Sequence, residues 1–161
     1  MVESAALFAL RVCLGAVFIA HGWRHYRNRA KVMAWTGSIG FRSPRLQWLL
    51  MAVGELGIGV GLITGFLTPV AAAGAVAITA VAYWTVHRRA GFFVTARPDE
   101  GWEYVFVLAV AAVTVATLGP GEWSVDHRLD WSLSGGGGAA IAASGFAAAA
   151  LQVALFFRAK P

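Results

Sequence analysis

Four side chains stand in apolar surroundings where an ionisable group has to have a purpose: Arg11, His21, Glu55 and Glu103. Glu55 is the most telling. It sits near the middle of residues 46–67, LQWLLMAVGELGIGVGLITGFL, a run long enough to cross a bilayer at ~1.5 Å per residue. Insertion scales put a mid-bilayer carboxylate at roughly +2.5 to +3.5 kcal/mol, so it should face the bundle interior and have a partner. Two readings stand. Glu55 ties two helices together by a hydrogen bond or ion pair, or it works in ligand or proton chemistry.

Depth narrows the pairing. With Ser4 at the outer end of the first span, Arg11 lies ~10 Å deep and His21 ~25 Å deep; Glu55, measured back from Leu67, lies ~18 Å deep. Helical side chains lean toward their own N-terminus, so His21 leans outward and Glu55 inward. The expected buried pair is therefore Glu55–His21. Arg11 leans away from it. It either snorkels to the outer surface or fixes an acid of the later loop, Asp126 or Glu122, or an anionic head group. Glu103 opens a helix, where an acid favours the positive end of the dipole; with His21, His25 and His87 at the same boundary it also suits a polar pocket. His21 and His25 share a helix face, but haem needs facing ligands and zinc usually three or four, so no metal is expected. A quinone head group needs only one or two polar contacts and an apolar trough.

The elements that carry these residues are membrane spans. Hydrophobic residues make up 58% of the 161-residue chain and charged residues 13%, about half the ~25% of soluble domains; mean hydropathy is +0.66. The expected fold is all-α, a polytopic transmembrane bundle with spans near 5–23, 46–67, 69–86, 102–118 and 139–157. The basic stretch 24–45 reads as a loop. Thr68 and Pro69 suit the cap and first turn of the third span. Gly57, Gly61 and Gly65 recur every fourth residue, as in a ridge that lets another helix approach closely.

With five spans, eleven Lys and Arg fall on one side and only Arg128 on the other, leaving Arg11 in the membrane. That bias predicts an N-terminus outside and a cytoplasmic C-terminus. Trp23, Trp48, Trp84 and Trp102 fall at the inner boundary, Trp123 and Trp131 near the outer one. The net charge of +5 follows membrane topology and does not indicate nucleic acid. Cys13 is the single cysteine, which excludes an intrachain disulfide and a CxxC redox pair. No positively charged n-region precedes the first run, so it reads as a retained span. Phosphate-loop, dinucleotide, nucleophile-elbow and HExxH motifs are absent from the sequence.

Three stretches, LRVCLGAVFIAHGWRHY, GELGIGVGLITGFLTPVAA and GWEYVFVLAVAAVTVATLGPGEWSVD, resemble in order the DoxX family of small bacterial integral membrane proteins, over roughly residues 8–126. The resemblance implies a four-helix membrane domain over 1–126, with residues 127–161 adding a polar loop and an Ala/Gly-rich fifth helix. Arg11, His21, Gly22, Glu55, Gly119, Pro120, Gly121 and Asp126 map onto the family pattern. It further implies a place in the bacterial plasma membrane, as a subunit of an oxidoreductase complex with other membrane redox proteins as partners. A bound quinone would face a pocket of Arg11, His21, Glu55 and Glu103. Other members act as chaperones or cargo handlers, so a non-catalytic scaffold or assembly factor is the alternative. A small transporter fits Glu55 but lacks inverted repeats.

Overall fold

In the computed structural model, which describes residues 2–159, apolar runs become helices because a helix satisfies its own backbone where water cannot. They are α1 (Val2–Arg27), α2 (Arg29–Ile39), α3 (Pro44–Thr64), α4 (Thr68–Thr85), α5 (Glu103–Leu118), the single turn α6 (Val125–Arg128) and α7 (Gly135–Phe156). The helices α1, α3, α4 and α7 are each long and apolar enough to cross a membrane. At 16 residues, α5 rises ~24 Å, short of the ~30 Å hydrocarbon core. It nevertheless packs against α4, α7 and α1 as a fifth member of the bundle.

Breaks fall where the chain leaves helical geometry. Gly40 and Gly65 end α2 and α3 at φ 113° and 66°, conformations that cost glycine nothing. One break is internal: residues 50–54 of α3 form a π-turn, which inserts an extra residue into the helical repeat and reorients the faces on either side of it.

Helices in lipid gain little from hydrophobic burial, because lipid tails are as apolar as leucine; close van der Waals packing must hold them together. The pair α1–α3 does this through glycines. A Cβ added to Gly15 would lie 2.7 Å from the carbonyl oxygen of Gly59, and one added to Gly59 would lie 2.7 Å from that of Gly15. Gly22 meets Leu56 and Ala52 just as closely. The ridge expected from Gly57, Gly61 and Gly65 is not the one used. A Cβ added to Gly57 would meet nothing within 4 Å, Gly61 faces Ala71, and Gly65 lies in the turn against Arg11 and Ser124. The spacing is right for a ridge, but the π-turn and the helix end dictate which glycines face a neighbour.

Helix α4 is central. Ala72, Ala75 and Val76 are fully buried, between α3, α5 and α7. Helix α7 runs the height of the bundle. At one end Gly138 lies against the Ala116 carbonyl. At the other, Phe157 bridges to Phe41, with the Arg42 amide donating to the Phe156 carbonyl at 2.7 Å and the Arg158 amide to that of Gly40 at 2.9 Å. The stretch 24–45, expected as a loop, is largely helical, holding the end of α1, all of α2 and the start of α3. Its polarity suggests a linker, whereas its residues, apart from the glycines, are compatible with helix.

Candidate functional site

Histidines 21 and 25 lie one turn apart on α1, and Gly22 between them lets α3 come close enough for side chains to meet. Glu55, immediately after the π-turn, points its carboxylate at His25: Oε2 is 2.7 Å from Nδ1. The Glu55 side chain is 5% exposed and that of His25 18%. The expected partner, His21, is therefore replaced by the histidine one turn deeper. Trp48 fixes this turn of α1 by donating its Nε1 to the His25 carbonyl at 3.0 Å, and the Arg29 guanidinium lies 4.8 Å from the Trp48 ring.

His21 stands in the next position of the same row. Its ring centroid is 6.2 Å from that of His25 and 6.5 Å from that of Tyr104, with which it stacks at 27°. These are ring contacts, not hydrogen bonds. Both His21 and Tyr104 are exposed, at the edge where α1 meets α5. The row Glu55, His25, His21, Tyr104 thus leads from a buried carboxylate to the lateral surface. The inner pair is a hydrogen-bonded imidazole and carboxylate, while the outer pair presents an imidazole and a phenol.

The other expected site residues lie elsewhere. Arg11 is fully buried and does not snorkel. It donates from Nη1 to the Leu62 carbonyl at 3.0 Å and from Nη2 to that of Trp123 at 2.5 Å. Fourteen positions along α1 separate it from His25, ~21 Å of helix, so the two polar groups do not form one pocket. Glu103 is committed to its own loop, accepting from the Val94 amide at 3.0 Å while its amide donates to the Phe92 carbonyl at 2.8 Å.

Asp126 is a structural cap. It accepts the amides of Leu67 at 2.7 Å and Thr68 at 2.8 Å, and its own amide donates to the Gly65 carbonyl at 2.9 Å. Thr68 does not cap α4 as expected: the helix begins at Thr68 itself, and its Oγ1 is buried without a partner. A cap supplied from 58 residues away takes over that task and pins α6 to the α3–α4 turn. Sequence reasoning also misses the hydrogen bond from Gln152 of α7 to Gln47 of α3, 2.8 Å long. Two glutamines at the apolar boundary are its only signal.

A bundle of lipid-crossing helices with two buried polar groups defines a multi-pass integral membrane protein. The DoxX family model matches residues 6–88, just over half of the chain, and the protein belongs to the DoxX family. The match contains Arg11, His21, His25 and Glu55; Tyr104 and Asp126 lie beyond it. Neither the curated proteins nor the solved structures contain a match.

Proposed function

We propose that this chain is a membrane subunit of an oxidoreductase complex, which offers a quinone head group a polar edge and leaves electron transfer to a redox centre on a partner protein. One observation carries the reading: a buried carboxylate is linked through His25 and His21 to an exposed tyrosine at the lateral surface of α1 and α5. A residue that only tied α1 to α3 would need no such row. The outer pair fits a quinone head group because the Tyr104 hydroxyl and a His21 ring N–H can each donate to a carbonyl, beside apolar surface that suits an isoprenoid tail. A quinone, when bound, supplies two-electron, two-proton chemistry. His25 would accept or give a proton at a ring nitrogen, with Glu55 orienting the ring through its contact with Nδ1.

The chain would sit in a bacterial plasma membrane with its N-terminus outside and its C-terminus in the cytoplasm. Support comes from the basic residues of 24–45, Arg88, Arg89, Arg97 and Arg158, which gather at one end of the bundle. Lys160, counted on that side, lies outside the described residues.

The second reading, a non-catalytic scaffold or assembly factor, is favoured by the fate of Arg11 and Asp126: both are spent on backbone groups. Purification in mild detergent separates the two. A copurifying redox enzyme or quinone is expected, and Glu55→Gln should lower quinone-linked turnover ~10²-fold or more while the complex stays assembled. Wild-type turnover in that variant, or a partner without a redox centre, overturns the first reading.

A further inference from the structure

On the far side of α5 from the histidines, α4, α5 and α7 leave a groove of about 830 Å³. Small residues open it: Ala149, Ala150 and Ala154 of α7 face Val105 and Ala109 of α5. Its two threonine hydroxyls are already spent, Thr79 on the Ala75 and Val76 carbonyls and Thr114 on that of Val110. The groove is therefore mainly hydrocarbon, with Tyr83, Trp84 and Trp102 at its basic end. Along α5 it extends from Trp102 to Thr114, ~18 Å of helix and close to the ~15 Å half-thickness of a bilayer's hydrocarbon core.

Beside its basic end lies a second, smaller cavity of about 90 Å³ that includes Arg88 and Arg89, with Trp84 lining both. The Arg88 guanidinium lies 4.2 Å from the Trp84 ring. Among the described residues neither arginine pairs with a carboxylate, and the ion pair is His25–Glu55. An apolar trough of one-leaflet length that ends on two uncompensated guanidinium groups is complementary to a single amphiphile.

We propose that this site holds one anionic phospholipid, an acyl chain along α5 and the phosphate on Arg88 and Arg89. Arginine forks recognise phosphate oxygens bidentately, and basic pockets between membrane helices suit anionic head groups. The site is independent of the histidine row and would exist in either functional reading.

The test is lipid retention by the full-length protein in nanodiscs of equal parts phosphatidylglycerol and phosphatidylcholine, read by native mass spectrometry. The wild type should retain phosphatidylglycerol over phosphatidylcholine, and the double variant Arg88→Gln, Arg89→Gln should reduce that preference on the order of tenfold. Ala150→Phe, which fills the groove without touching the arginines, should lower retention of both lipids. Equal retention of the two lipids by the wild type overturns the proposal, as does an unchanged preference in the arginine variant. Retention unaffected by Ala150→Phe, together with displacement by inorganic phosphate, would show a phosphate site without a chain and overturns it too.

Discussion

His25 Nδ1 and Glu55 Oε2 are 2.7 Å apart in the wall between α1 and α3, and each is the other's polar partner in a region that offers neither much water. Removing one partner strands the other, which in a buried pair costs far more than the pair is worth in net terms. A double-mutant cycle with His25→Phe and Glu55→Gln, read by unfolding in detergent, should give a coupling of ~1–2 kcal/mol, within the range found for polar pairs in membranes. Additive effects would mean that the two side chains do not depend on each other.

Arg11 makes two hydrogen bonds to carbonyls from different segments, so a lysine cannot replace its fork. Arg11→Lys should destabilise the protein by ~1–2 kcal/mol and Arg11→Met by ~2–4 kcal/mol, since the Leu62 and Trp123 carbonyls then lose their donor. Thermal unfolding in detergent measures both. If Arg11→Met melts with the wild type, the guanidinium is not what fixes the 119–128 segment to α1.

At the α3–α4 turn, Asp126 and Thr68 should respond in opposite directions. Asp126→Ala removes the acceptor for two amides and should cost ~1–2 kcal/mol. Thr68→Val replaces a buried, unpartnered hydroxyl with a methyl of similar shape and should be neutral or stabilising. Loss of stability in the valine variant would mean that Oγ1 has a partner in the membrane.

The glycines make a third contrast. Gly59→Ala sets a methyl against the backbone of α1 and should destabilise by ~1–3 kcal/mol through forced separation of the helices. Gly57→Ala meets nothing and should be neutral or gain up to ~1 kcal/mol from helix propensity. Equal effects at the two positions would show that α1 does not ride on Gly59.

Much of this could be read from the residues because lipid imposes a one-dimensional rule: an apolar run of sufficient length becomes a helix across the membrane. The spans and the burial of Glu55 follow from that rule. The partner of Glu55 does not. The depth count sets Ser4 and Leu67 level, whereas Gly65 lies against Arg11 and Ile63 against Gly15, and an offset of one turn, ~5.4 Å, is enough to exchange His25 for His21. Asp126 is recognisable as a packing residue but not as the cap of a distant helix, because a cap from another segment leaves no local pattern. For Arg11 and Trp123 the missing information is similar: the acceptor is a backbone carbonyl, and every residue has one.

The π-turn in α3 joins two separately anchored halves. Upstream, Gln47 meets Gln152 and Trp48 holds α1; downstream, Glu55 and Gly59 hold α1 again. A π-turn carries one residue more than an α-turn through the same rotation, so deleting a single residue from 50–54 would relax it to ordinary helix with both halves still in phase, whereas a deletion in the ordinary helix on either side would twist them by ~100°. In that second case one half or the other would present the wrong side chains to its neighbours, so 50–54 is the one place where this helix can lose a residue and keep both anchorages.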